Sequence, residues 1–289
     1  MARSLKPFDY FEPHTIKEAV SILGKHGKNA KVLAGGVDLV ARMRLRQTQP
    51  KYVVSLVKIP KLDYISRNKR GLKFGVLTSI RALELSPVIQ KDYNVLYEAA
   101  SKIASIQVKN MGTAVGNICV ATPASDIASA LFVLDAELRI MSPNGERTIP
   151  IDNFYQGVNK TVLKPDEIVI EVILPSSKPQ QYGAFIKMIR TASDIAKVNV
   201  AVQLELVNGI CKNVRIALGS VASTVIRSVV AEKKLSGKKL SSVLIKEAAD
   251  LASKEVVPIT DLRSTADYRK GMVKVLVRRA IQEALAKAG

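Results

Sequence analysis

The sequence predicts a mixed α+β fold with its main boundary near residue 177, and three observations support this class. Short apolar strands alternate with helical periodicity in the first part of the chain. Long strands of alternating polarity dominate after it. Between the two parts, LPSSKPQQ (174–181) has the composition of a linker. We therefore expect domains at 1–176 and 177–289, the first divided into subdomains of about 1–60 and 61–176.

The first subdomain is predicted to be a small βαβ-like unit. TIKEAVSILGKH (15–26) is typical of a helix, with Thr15 as N-cap and Glu18 completing a capping box. The other elements alternate in type: a buried strand at KVLA, a tight turn at GGVD, a helix at LVARMRLRQ and a strand at YVVSLVKI (52–59).

The second subdomain changes pattern from about residue 61. Its predicted elements are a strand at GLKFGVLTSI, a helical stretch over 86–104, a glycine- and proline-punctuated loop over 107–126, a buried strand in the second half of IASALFVLDAELRIMS, a turn at PNGE (143–146) and a strand at DEIVIEVILP.

The last part of the chain is predicted to hold a long hairpin followed by helices. Apolar residues alternate from Val198 to Leu206, and Asn208-Gly209 supplies a turn that needs positive φ. The final helix, 266–287, places Val273, Val277, Ala280 and Ala284 on one stripe.

Composition narrows the function classes. The formal net charge is +19, but the basic residues are spread along the chain, aromatics are 5% and there is no Trp. This favours a solvated surface or a face for an acidic protein partner over nucleic acid. No apolar run approaches the roughly 20 residues of a membrane span, and no signal peptide is predicted. Cys119 and Cys211 lack the spacing of an iron–sulfur or zinc site, so we expect no metal and a reduced, cytoplasmic setting.

Two glycine-containing loops are the candidate binding elements. In VLAGGVDLV (32–40) a strand meets Gly35-Gly36 just before a helix, so backbone N–H groups at the helix N-terminus could hold a pyrophosphate. The alternative is a tight turn without a ligand. Neither GxGxxG nor GxxxxGK[ST] is present, so a nicotinamide-type fold or a phosphate-loop ATPase is not indicated.

The second loop, QVKNMGTAVGNICVATPASD (107–126), adds polar side chains. Gly112 and Gly116 allow close backbone approach, while Thr113 and Asn117 offer hydrogen bonds. Asp126 could accept hydrogen bonds from a ribose. The alternatives are a helix N-cap for Asp126 and a left-handed turn residue for Asn117.

Four motifs in order, AGGVDL, QVKNMGTAVGNI, TPASD and SDIAKVNVA, resemble the FAD-binding (medium) subunit of the xanthine dehydrogenase and carbon monoxide dehydrogenase family of molybdenum hydroxylases. The resemblance covers nearly the whole chain, from PFDYFEP to YRKGMVKVLVRRA. It implies a two-part FAD-binding domain of the vanillyl-alcohol-oxidase (PCMH) type, followed by a C-terminal α+β domain of the CO dehydrogenase flavoprotein type that covers the flavin.

The resemblance also implies the site. It places these residues at a non-covalent FAD: Val32, Leu33, Ala34, Gly35, Gly36, Val37, Asp38, Leu39, Ile103, Thr113, Gly116, Asn117, Val120, Asp126, Ile168, Val169, Lys187 and Asp194. The resemblance implies that residues 32–39 wrap the pyrophosphate of FAD. It also implies that Asp194 lies in a loop over the flavin ring. Lys187 lies near the isoalloxazine and raises its potential, and a solvated strand lysine is the alternative.

The implied function is electron relay. A large subunit would carry molybdopterin, a small subunit the [2Fe–2S] clusters, and this chain would pass their electrons to an external acceptor within a hetero-oligomer. No catalytic acid or base is required, and His14 and His26 are interpreted as surface residues.

The alternative is a scaffold subunit with weakened FAD binding. Val37 lacks the hydroxyl that the family often has. Val115 stands where the family has glycine, and a β-branched residue is strained if positive φ is needed there.

Overall fold

A three-stranded parallel sheet forms the first subdomain of this computed structural model, which describes residues 4–289; the first three residues of the predicted first domain lie outside it. The order of its strands is β1-β3-β2, which confirms the βαβ-like unit. Its elements are β1 (Asp9–Phe11), α1 (Ile16–His26), β2 (Ala30–Leu33), α2 (Val37–Arg44) and β3 (Tyr52–Ser55).

The predicted cap of α1 is present with one change of partner. Thr15 accepts a hydrogen bond from the Glu18 N–H at 3.1 Å, as an N-cap does. The Glu18 carboxylate accepts from the His14 N–H rather than from that of Thr15. At the other end of α1, His26 is half-buried and stacks on Tyr52 with ring centroids 3.8 Å apart. His26 is therefore only partly at the surface, whereas His14 is exposed.

A five-stranded antiparallel sheet of order β4-β5-β10-β6-β7 forms the second subdomain. Its elements are β4 (Ile65–Asn68), β5 (Gly71–Gly75), α3 (Ile80–Leu85), α4 (Pro87–Asp92), α5 (Asn94–Ser101), α6 (Ile106–Met111), α7 (Ala114–Cys119), α8 (Asp126–Val133), β6 (Glu137–Ser142), β7 (Gly145–Pro150), the two-stranded hairpin β8 (Tyr155–Gly157) and β9 (Lys160–Thr161), and β10 (Ile168–Pro175).

The loop predicted over 107–126 is mostly helical, so that prediction is wrong. Two short helices, α6 and α7, fill it, because Ser105 and Thr113 cap them by accepting hydrogen bonds from Val108 and Gly116. Asn117 lies inside α7, which excludes the left-handed turn interpretation.

The last part of the chain is a five-stranded antiparallel sheet whose own helices follow it in sequence. Its elements are β11 (Gln181–Met188), β12 (Val198–Val207), β13 (Ile210–Gly219), β14 (Ile226–Arg227), α9 (Val229–Leu235), β15 (Lys238–Lys239, paired with β13), α10 (Ser242–Ala252) and α11 (Ala266–Ala286). Asn208 and Gly209 both have positive φ, 51° and 74°, as the hairpin prediction requires. The predicted stripe of α11 is completely buried.

This last sheet is shared between two hydrophobic cores. One face, with Val200 and Val202, packs against α9 and α11, and α10 packs on these two helices. The other face adds Phe185, Ala201 and Ala217 to the core of the preceding part, against α5 and α8. The two parts are therefore held in a fixed relation by buried apolar surface. Among residues 4–289, no helix is long and apolar enough to cross a membrane.

Candidate functional site

A cavity of about 460 Å³ lies where the two glycine-containing loops meet. Most of the predicted site residues line it: Val32, Ala34, Gly35, Gly36, Val37, Asp38, Leu39, Ile103, Thr113, Gly116, Asn117, Val120, Ile168 and Val169. The volume falls within the range of small-molecule and cofactor pockets. The lining residues come only from the first two subdomains.

The two loops are in direct backbone contact. A Cβ built on Gly35 would lie 1.9 Å from the carbonyl oxygen of Met111, so only glycine permits this approach. The Ile80 N–H donates to the Gly112 carbonyl at 2.9 Å, and the Ala114 N–H to the Thr78 carbonyl at 3.0 Å. These contacts fix both loops at one edge of the cavity.

The first loop ends in a helix N-terminus without a side-chain cap. Gly36 is the N-cap of α2 with φ 75°, and no side chain caps the first-turn N–H groups. Uncapped N–H groups and the helix dipole favour an anion at this position. The loop therefore suits a phosphate group, as predicted.

Within the second loop, Ser125 orients the side chain of Asn117. The Ser125 hydroxyl donates to Asn117 Oδ1 at 2.6 Å, which leaves the amide nitrogen of Asn117 as its donor to a ligand. Ser125 also accepts from the Ala128 N–H and is the N-cap of α8. Asp126 is thus the first residue of α8, and the N-cap interpretation of Asp126 is wrong.

One wall of the cavity is apolar. It is formed by Ile103, which follows α5, and by Ile168 and Val169 on β10. All three are buried, as are Val76 and Ile80, which also line the cavity. Such a wall suits a flat aromatic ring system, whereas the polar loops suit phosphates. The two chemistries lie in one cavity, which is what a flavin dinucleotide requires.

Sequence reasoning missed several lining residues. They are Lys31, Arg42, Gln47, Thr48, Val76, Ile80, Val108, Cys119, Asn159, Leu163 and Glu167. Gly112 and Val115, which the sequence did single out, also line the cavity. Asn159 comes from the β8–β9 turn, and no local motif marked it. Arg42 lies on α2, directly after the first loop. Its place on the helix that starts at the predicted phosphate loop was the sequence signal that could have identified it. Burial raises the pKa of Cys119 to about 12, which disfavours the nucleophilic thiolate.

Four predicted residues do not line the cavity: Leu33, Asp126, Lys187 and Asp194. The Leu33 side chain lies near Gly36, where an added Cβ would be 3.2 Å from Leu33 Cδ1. Asp194 is half-buried and forms an ion pair of 3.4 Å with Arg190. Contact of these four residues with a flavin stays a prediction.

Asp126 and Lys187 form a buried ion pair. Lys187 Nζ lies 2.7 Å from Asp126 Oδ2, and the two side chains are 3% and 5% exposed, respectively. Lys187 also donates to the Lys102 carbonyl at 3.0 Å, and the Asn199 amide donates to Asp126 Oδ1 at 2.8 Å. Burial raises the pKa of Asp126, and the neighbouring Lys187 opposes that shift. The solvated-lysine interpretation of Lys187 is wrong.

Two family matches cover most of the chain. Residues 6–177 match the FAD binding domain in molybdopterin dehydrogenase, and residues 183–284 match the CO dehydrogenase flavoprotein C-terminal domain. The chain belongs to this flavoprotein family. The matches confirm the predicted family, the fold class, the FAD cofactor and the assignment as an oxidoreductase subunit.

Individual relatives agree with this membership over their full length. The chain is 34% identical over 280 residues to the carbon monoxide dehydrogenase medium chain of Hydrogenophaga pseudoflava, covering 97% of this chain and 98% of the relative. It is 30% identical to the putative xanthine dehydrogenase FAD-binding subunit of Escherichia coli (strain K12), covering 98% of each.

Structural similarity is equally extensive. A solved structure of the Hydrogenophaga pseudoflava carbon monoxide dehydrogenase, in a form lacking the Mo-pyranopterin moiety of its cofactor, contains a chain that matches with a TM-score of 0.97. That match has 35% identity and covers 99% of this chain and 100% of the other. The arrangement of both parts of this flavoprotein therefore follows that of the solved chain.

Proposed function

We propose that this chain is the FAD-binding electron-transfer subunit of a multi-subunit molybdenum hydroxylase. It receives electrons from [2Fe–2S] clusters of a partner chain and delivers them to an external acceptor. The observation that carries the proposal is that an uncapped helix N-terminus and an apolar wall line the same cavity, within a chain of an FAD-binding family.

The donor set of this cavity fits FAD. We propose that residues 34–39 hold the pyrophosphate through backbone N–H groups, and that Thr113 and Asn117 add side-chain hydrogen bonds. The apolar wall of Ile103, Ile168 and Val169 receives the ring system. When bound, FAD supplies the electron chemistry, while the chain supplies binding, orientation and exclusion of water.

The proposed partners are a large molybdopterin subunit and a small iron–sulfur subunit in a hetero-oligomer. Relatives named as the medium chain of a carbon monoxide dehydrogenase or the FAD-binding subunit of a xanthine dehydrogenase support this assembly. The net charge of +19 suits docking to acidic partner surfaces. We also propose the domain division at 176/177, since β10 ends at Pro175 and β11 begins at Gln181. The two free cysteines support a reducing, cytoplasmic setting.

The scaffold alternative loses its main argument. It depended on strain at Val115 and on the missing hydroxyl at Val37. Val115 lies inside α7, is absent from the positive-φ residues and is 1% exposed in the core, so it carries no backbone strain of that kind. Val37 remains a cavity residue without a hydroxyl, a difference of about 1 kcal/mol.

Titration of the purified chain with FAD tests the proposal. We expect saturable quenching of flavin fluorescence, and we expect weaker binding by Asn117→Ala. The matched control is Asn213→Ala, at an exposed position of β13 far along the chain from the cavity residues. A chain that is folded by circular dichroism yet takes up no FAD at high concentration would refute the flavoprotein function.

A further inference from the structure

Arg42, on the helix after the first loop, contacts a residue of the β8–β9 turn. Its Nη2 donates to Asn159 Oδ1 at 2.5 Å, between residues 117 positions apart in sequence. Asn159 lies in the β8–β9 turn with φ 56°, and its N–H donates to the Ala121 carbonyl at 2.8 Å, one residue after Val120. Both Arg42 and Asn159 line the cavity. Asn159 therefore connects α2, through its side chain, to Ala121 of the second loop, through its backbone N–H.

The charge of Arg42 is not neutralised by a carboxylate. Asp38 lies four residues earlier on α2, at the spacing where helix ion pairs form. Within residues 4–289, however, Arg42 forms no ion pair, with Asp38 or with any other acidic group. Its hydrogen-bond partner, Asn159, is a neutral amide. The guanidinium thus lines the cavity without a carboxylate partner, and one neutral acceptor fixes its direction.

The Arg42 side chain and the uncapped N-terminus of α2 line the same cavity. Side chains on a helix lean toward its N-terminal end, so we expect the Arg42 side chain to run back toward the first turn of α2. There the first-turn N–H groups lack a side-chain acceptor. A guanidinium and a helix N-terminus that line one cavity form a site for a group with two or more anionic oxygens.

We propose that Arg42 contacts the pyrophosphate of FAD and that Asn159 is a positioning residue that holds its guanidinium at the cavity. The proposal rests on the function above and adds a specificity determinant: the site distinguishes FAD from flavins without a diphosphate. Two lysines are the other cations at or predicted for the site. Lys187 is paired with Asp126. Lys31 lines the cavity but is exposed, and its ammonium cannot form the two parallel hydrogen bonds that a guanidinium forms with a phosphate.

Flavin titrations of Arg42→Gln and Arg44→Gln test the proposal on the full chain. Arg44 is an exposed arginine of the same helix that does not line the cavity, so it controls for the loss of one positive charge. We expect Arg42→Gln to weaken FAD binding about 10- to 100-fold, since one charge-assisted contact is lost. Riboflavin binding should stay within about twofold of the wild type. Arg44→Gln should leave both affinities unchanged.

Salt dependence gives a second measurement on FAD alone. The dissociation constant of the wild-type chain should rise with NaCl more steeply than that of Arg42→Gln, because salt screens a charge that the variant lacks. Equal FAD affinity in the two glutamine variants, equal losses for FAD and riboflavin, or an unchanged salt dependence would each overturn the role of Arg42. A wild-type chain that binds no FAD would instead refute the function itself.

The role of Asn159 is tested by Asn159→Gly, which retains the positive φ at this turn. We expect a smaller loss of FAD affinity, because the charge remains but is no longer directed. The double variant with Arg42→Gln should bind no more weakly than Arg42→Gln alone. Additive losses would show that Asn159 does not act through Arg42.

Discussion

Replacing Lys187 by Met tests the energetics of the buried pair. The substitution keeps the length of the side chain but removes the ammonium 2.7 Å from Asp126, whose side chain is 5% exposed. Breaking a buried pair by removing one partner costs about 3–5 kcal/mol, because an uncompensated charge stays behind. The Asn199 amide continues to donate to Asp126 at 2.8 Å. We therefore expect the lower end, about 3 kcal/mol of unfolding free energy at neutral pH.

The penalty should depend on pH with a defined sign. Burial raises the pKa of Asp126 above 3.8, and Lys187 is the largest opposing influence. A carboxyl with a raised folded pKa contributes stability below its unfolded pKa and loses it as pH rises through the folded value. Without Lys187 the folded pKa rises further. The deficit of Lys187→Met relative to wild type should therefore be largest at pH 7–8 and shrink as pH falls toward about 4.

Urea unfolding followed by far-ultraviolet circular dichroism is the suitable assay, because the chain has no Trp to report. The matched control is Lys178→Met, which removes an exposed pair with Glu205 whose lysine side chain is 56% exposed. That surface pair should be worth less than about 1 kcal/mol. Adding Asp126→Asn to Lys187→Met should recover most of the loss. A Lys187→Met penalty no larger than the control, or one independent of pH, would refute the reasoning.

Three further substitutions give distinct outcomes. Gly35→Ala places a Cβ 1.9 Å from the Met111 carbonyl oxygen, so it should separate the loops and lower both the melting temperature and FAD affinity; unchanged values would contradict the loop contact. Val115→Gly should cost about 2–3 kcal/mol in urea unfolding, through lost burial and helix propensity, without improving FAD binding. Arg269→Gln removes the guanidinium of an arginine that is 4% exposed and donates to Asp261 at 2.6 Å, and should cost about 3 kcal/mol in the same assay, whereas exposed Arg278→Gln should cost little.

Periodicity and turn chemistry predicted the elements whose causes are local. The capped helix α1, the Asn208-Gly209 hairpin and the buried stripe of α11 each follow from residues close in sequence. The first glycine loop was also found this way, because a strand, two glycines and a helix start are adjacent. Local signals of this kind are the ones that sequence patterns carry.

The remaining features depend on partners that are distant in sequence. Asp126 pairs with Lys187 61 residues later, and Arg42 with Asn159 117 residues later. Nothing in TPASD shows that Ser125, rather than Asp126, caps α8. The helices within 107–126 were missed because glycine and proline suggested a loop, whereas Ser105 and Thr113 each supplied an N-cap.

Val115 is compatible with the second loop because the position that leaves no room for a Cβ is the neighbouring Gly116. Val115 has a helical environment in α7, and its side chain joins the buried core with Ala114 and Ile118. A Cβ added to Gly116 would lie 2.7 Å from Thr113 Oγ1, the atom that caps this helix by accepting from the Gly116 N–H at 3.0 Å. The glycine that this loop requires is therefore Gly116. A β-branched residue one position earlier preserves the cap, the helix and the amide donor of Asn117.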